Sequence, residues 1–105
     1  MKSLLTKVVL TAFLASLTAA GARAQDAAEL YKSKCQVCHG ADGKGETAAG
    51  KKLGVKDFHS PEVAKMSDLE LFEITKKGKD KMPKYEGKLT DDQIKELIKY
   101  IRSLK

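Results

Sequence analysis

An all-α domain of about four short helices is the fold this sequence predicts, and three observations predict it. Two S/T-x-x-E/Q boxes, Ser67 to Glu70 and Thr90 to Gln93, each open a stretch with apolar residues at helical spacing. No segment alternates apolar and polar residues as a half-buried strand does. Of the 105 residues, about 80 remain once an N-terminal leader is set aside, which is enough for one small domain and too few for two.

The leader is read over residues 1–24. Lys2 and Lys7 precede an apolar run from Val8 to Ala20, and small residues follow up to Ala22-Arg23-Ala24. That order is a secretory signal peptide with cleavage after Ala24, Ala20-Gly21-Ala22 being the alternative frame. The apolar run is well short of the roughly 20 residues that span a bilayer. The mature domain is therefore expected over residues 25–105, in the periplasm. Lys2, Lys7 and Arg23 leave with the leader, which takes the formal net charge from +6 to about +3. So mild a basic excess, on an exported chain, argues against a nucleic-acid partner.

The elements follow in order. Residues 26–34 predict a short helix with Asp26 as its cap and Leu30 and Tyr31 on its apolar face. After His39 the glycines at 40, 43, 45 and 50, with Asp42, Lys44 and Thr47 among them, predict a loop. Ser60-Pro61-Glu62 places a capping residue before a first-turn proline and predicts a helical turn to about Lys65. The Ser67 box opens a helix with Leu69, Leu71, Phe72 and Ile74 as its stripe and Gly78 as its stop. The Thr90 box opens the last one, in which Ile94, Leu97, Ile98, Ile101 and Leu104 recur at helical spacing.

The chemistry sits between the first helix and the glycine loop. Cys35-Gln36-Val37-Cys38-His39 is C-x-x-C-H, a spacing at which two thiols add to the vinyl groups of haem while the histidine reaches the iron. Other uses of two cysteines fit less well. A structural disulfide leaves His39 unexplained, and a thioredoxin-like pair needs a strand-helix-strand setting. A zinc site needs two further ligands, and His59 is the one other histidine. The reading is one haem c, with Cys35 and Cys38 as thioether attachments and His39 as the proximal iron ligand.

The second axial position separates electron transfer from ligand chemistry. Met82 is assigned to it, because Lys81-Met82-Pro83-Lys84-Tyr85 is an irregular stretch between Gly78 and the last helix, stiffened by Pro83. Two donors compete. Met66 precedes a capping box and reads as a hydrophobic staple, and His59, near a helix start, reads as a surface residue.

With these motifs in place, residues 26–105 resemble a small bacterial class I c-type cytochrome. The resemblance rests on Cys-Gln-Val-Cys-His-Gly with Ala41-Asp42-Gly43-Lys44-Gly45, on the later Met-Pro-x-aromatic, and on the amphipathic C-terminal helix. It implies a cytochrome c-like fold around one covalently bound haem, with the N- and C-terminal helices crossing beside it and Tyr31 and Tyr100 at the crossing. It also marks two departures: Ala27 stands where the family has glycine at the helix contact, and the proline whose carbonyl receives the proximal histidine's Nδ1 proton is not evident. The acceptor for His39 is thus left open.

A His/Met haem has no open coordination position, which suits a one-electron carrier rather than an enzyme. The expected partners are redox proteins, membrane respiratory complexes among them, met by a monomer. Lys76, Lys77, Lys79, Lys81, Lys84 and Lys88 cluster around Met82 and form a candidate basic rim for an acidic partner. Two other readings stay open at this point: a domain or subunit of a larger respiratory enzyme, and a haem-based gas sensor. The haem is expected to complete the core by receiving Leu30, Phe58, Leu69, Phe72, Leu89 and Leu97.

Overall fold

The structure is a computed structural model and describes Arg23 and residues 26–105. Apart from Arg23, the expected leader lies outside the described residues, and its cleavage point with it. Six helical segments are present among the described residues and no strand: α1 over 26–34, α2 Gln36–His39, α3 Ala48–Leu53, α4 Pro61–Ala64, α5 Asp68–Lys77 and α6 Asp91–Ser103. No helix among them is long and apolar enough to cross a membrane.

The start and stop chemistry explains most boundaries. Ser60, Ser67 and Thr90 each turn a side-chain oxygen onto the backbone N–H three residues on, supplying an acceptor to a donor that the helix itself leaves unpaired. At α6 the box is reciprocal, because the Gln93 side chain also receives the Thr90 N–H at 2.8 Å. At α5 the expected box closes by half. The Glu70 carboxylate takes the Ser67 hydroxyl proton at 3.3 Å and leaves the Ser67 N–H alone.

Three expectations need correction. Asp26 is already helical, as is Arg23, so Asp26 lies in the body of α1 and does not cap it. The glycine loop contains a helix, α3, capped by Thr47 and ended by Gly54 in the left-handed region. Leu69 faces outward with 69% of its surface exposed, because α5 turns Leu71 inward and leaves Leu69 on the far side.

The core gathers Tyr31 of α1, Val63 of α4, Leu71 of α5, Leu89, and Ile94, Leu97 and Ile98 of α6. α6 packs on α5, and Arg102 fastens its far end to the start of α5. Its Nε donates to Asp68 at 2.6 Å and its Nη2 to the Met66 carbonyl at 2.7 Å. The Tyr31 and Tyr100 rings meet at 5.1 Å with a 49° tilt, so α1 and α6 touch through these residues, and Ala27 of α1 is buried at 3% exposure.

Candidate functional site

The segment carrying the cysteines is built by satisfying carbonyls. α2 is a single turn, and its last carbonyls have no partner inside the helix. The final two find partners elsewhere, as does the carbonyl just beyond: Cys38 O receives the Thr47 hydroxyl at 2.9 Å, His39 O receives the Gly45 N–H at 2.8 Å, and Gly40 O receives the Tyr31 hydroxyl at 2.5 Å. Thr47 also caps α3, so one side chain locks α3 onto α2. The approach is so close that a Cβ on Gly50 would fall against the Cys38 and Gly45 carbonyls. Thr47 and Gly50 were not legible as a helix start, since the cap is not followed by Glu or Gln and the third helical residue is glycine.

The opposite wall comes from the chain after α5. Gly78, at φ 79°, ends that helix, and the chain makes a tight turn in which Lys79 and Met82 exchange backbone hydrogen bonds at 3.2 and 2.9 Å. Asp80 takes the left-handed conformation at its tip. The turn lies back on Gly78, where a side chain would meet the Met82 carbonyl. The strand of chain beyond is then pinned twice to α5, by Tyr85 N–H to Thr75 O at 3.2 Å and Glu86 N–H to Lys76 O at 3.0 Å. The Tyr85 hydroxyl reaches across to the Lys34 carbonyl at 2.9 Å, joining this wall to the end of α1 beside Cys35.

Between the walls lies a largely apolar cavity of about 380 Å³, lined by Cys35, Cys38, His39 and Met82 together. Its size falls in the ordinary range for a bound small molecule, about 300–1,000 Å³. Phe58 and Leu97 line it as expected, whereas Leu30, Leu69 and Phe72 border a separate open groove on another side and Leu89 belongs to the core. Val63, Leu71 and Ile98 take their place as the apolar lining. Met66 also lines the cavity, while His59 does not.

Cys35 and His39 are held in their neutral forms. Burial pushes the Cys35 thiol up to about 11, against the smaller pull of Lys34, so it is a thiol and not a reactive thiolate. Neither cysteine is in a disulfide. Burial also lowers the His39 pKa, keeping the imidazole neutral with a lone pair to offer. The ring stacks on Phe58 with centroids 4.6 Å apart and planes at 22°. Its Nδ1 is buried and finds no hydrogen-bond partner among the described residues, so the missing proline carbonyl has not been replaced. Among the described residues no group of three or more His, Cys, Asp or Glu side chains converges as a metal cage.

The family model described as cytochrome C oxidase, cbb3-type, subunit III matches residues 22–101. The chain belongs to this family of c-type cytochromes. Two solved structures are similar to the cytochrome over nearly their full length. The KustC0563 c-type cytochrome is 35% identical with a TM-score of 0.68, over 74% of this chain and 95% of that one. A mutant of the same protein is 34% identical with a TM-score of 0.69, over 76% and 99%. None of the curated proteins matches the chain.

The cytochrome therefore has the cytochrome c-like all-α fold and carries covalently bound haem c with its iron. Two free thiols, a neutral imidazole and a thioether around one apolar cavity are a donor set that fits this group.

Proposed function

We propose that the cytochrome is an exported one-electron carrier, acting in the periplasm, with Cys35 and Cys38 holding the haem through thioethers and His39 and Met82 ligating its iron. The observation that carries this reading is the meeting of these four residues in one cavity, although Met82 lies 43 residues beyond His39 in the chain. The haem supplies a one-electron iron couple. The protein's part is to keep that couple closed and steady. Tyr31, Thr47 and Gly45 hold the α2 carbonyls, so His39 cannot drift. Tyr85 and the Lys79–Met82 turn fix the sulfur side, and the apolar lining excludes water. A thioether is neutral and an apolar site disfavours added charge on ferric iron, which together favour a comparatively high potential.

Met82 is preferred over Met66 because it stands on an irregular segment held by backbone bonds from both sides. Met66 sits at the staple position before α5 and packs against the core. His59 is engaged elsewhere, as described below. In the ferric protein, Met82→Ala is expected to abolish the weak long-wavelength absorption band of methionine-ligated haem, and Met66→Ala to retain it. The reverse pattern would transfer the ligand role to Met66.

The lysine rim is redrawn by the fold. Lys76 and Lys77 are engaged with Asp91 at 3.1 Å and Glu86 at 2.9 Å. Lys34, Lys79 and Lys81 line the mouth of the cavity with no ion-pair partner among the described residues. These, with the nearby Lys84 and Lys88, are the cations left to steer an acidic redox protein. Electron transfer to an acidic partner should slow as salt is added. A rate indifferent to ionic strength removes this docking role.

The family's description favours one second reading, in which this haem domain serves a larger respiratory oxidase as a subunit or docked component. The near-complete coverage of a small c-type cytochrome supports the free carrier. Purification of the native protein from the periplasm separates them: a monomer of the mature chain supports the carrier, and co-purification with oxidase subunits supports the other.

A further inference from the structure

His59 does not reach the cavity, yet its surroundings are specific. Its Nδ1 lies 2.7 Å from Asp57 Oδ1 and its Nε2 lies 2.9 Å from the Leu104 carbonyl oxygen. Both oxygens can only accept. A neutral imidazole carries one N–H and leaves one of these contacts as lone pair against lone pair, whereas the imidazolium donates to both. The arrangement is that of the protonated ring.

This tie joins positions 45 residues apart, the loop before α4 and the end of α6. What it encloses is Phe58, the residue between Asp57 and His59, whose ring lies on His39. The Phe58 N–H donates to Gly43 O at 2.9 Å, and the Phe58 and Leu104 side chains converge where a Cβ on Gly43 would stand. Phe58 and Leu104 thus share one seat over the glycine loop, and the His59 ring fastens one to the other.

We propose that His59 is a proton-linked positioning residue for the haem: as the imidazolium it holds Phe58 against the His39 ring, and the reduction potential falls as pH rises through its titration. The proposal rests on His39 being the iron ligand. Reduction places one electron, delivered by the redox partner, on ferric iron while a solvent proton binds His59, and no bond at the iron is made or broken. A positive charge on the His39 side favours the less charged ferrous state. By linkage, ferrous iron in turn raises the affinity of His59 for its proton. The charged groups facing the ring are Asp57 from its own loop and Lys44 from the loop after α2. The hydrogen bond to Asp57, then that to the Leu104 carbonyl, raise the His59 pKa, and Lys44 opposes them. This moves the transition above the ordinary histidine range.

The test is a redox titration of the holoprotein between roughly pH 5 and 9, with the ring resonances of His59 followed by NMR in both oxidation states. The expected result is a fall in potential centred on the His59 pKa, with that pKa higher in the ferrous protein. His59→Gln should be flat through this window, and Asp57→Asn should move the step to lower pH. Equal His59 pKa values in the two oxidation states, or a step that survives in His59→Gln, overturn the proposal. A pH-independent potential in a protein with an intact haem spectrum sinks this inference alone. Loss of the haem spectrum's dependence on His39 and Met82 sinks the ligand assignment beneath it.

Discussion

Tyr31 shows how one side chain serves the site from outside it. It is 1% exposed, its ring packs on Tyr100, and its hydroxyl donates to the Gly40 carbonyl just beyond His39. Tyr31→Phe keeps the ring and orphans a carbonyl, so unfolding in denaturant should show a loss of about 1–3 kcal/mol. The same scale governs pH dependence. The His59 pKa is raised above its ordinary 6.5, so its contribution is fully present below 6.5 and lost as pH rises through the folded value. The Asp57 pKa is lowered from 3.8, chiefly by its hydrogen bonds from the His59 backbone N–H and ring, so its contribution is present above 3.8 and lost as pH falls through the folded value. The tie is strongest between these limits. The melting temperature of wild type should exceed that of His59→Gln near pH 5, with the gap closing above the folded His59 pKa.

At the scale of elements, the caps at Ser60, Ser67 and Thr90 were legible because each is a local motif whose partners lie within one turn. α3 was not, because its stability comes from the neighbouring α2. Gly50 is a poor helix former on its own, and it is required where α3 meets the Cys38 carbonyl. Gly50→Ala therefore reverses the usual preference. Though alanine favours a helix, the Cβ has no room, and the expected outcome is a destabilisation of about 1–3 kcal/mol, read by thermal or denaturant unfolding. Leu69 teaches the same lesson from the other direction. It lies on the sequence stripe with Leu71 and Phe72, but the register of α5 turns Leu71 inward and leaves Leu69 in solvent.

For the molecule as a whole, the cavity stands in the middle of a domain of about 80 residues, and Leu71, Leu97 and Ile98 belong at once to the core and to the cavity wall. With the haem absent, these residues lack a partner on one side, and so small a domain has little other apolar surface to bury. A Cys35→Ala/Cys38→Ala chain without haem should show weak helical circular dichroism and no cooperative melt. A native-like spectrum with a sharp transition would mean that the protein core stands without its cofactor. The dispersal of charge is also a property of the whole. Six lysines crowd together in sequence around Met82, yet Lys76 is paired with Asp91 of α6 and Lys77 with Glu86 of the same segment, while Lys34 of α1 lines the cavity with Lys79 and Lys81.

The sequence by itself determined the covalent haem motif, the all-α class and the starts of α4, α5 and α6, since C-x-x-C-H and the caps at Ser60, Ser67 and Thr90 are short and carry their chemistry within a few residues. The tertiary structure decided what distance along the chain conceals. It brought Met82 to the cavity that holds His39, placed Phe58 on the His39 ring, left the His39 Nδ1 without an acceptor among the described residues, and closed His59 between Asp57 and Leu104. Each of these depends on a contact between segments whose relative placement is set by packing, and packing is written in no local pattern.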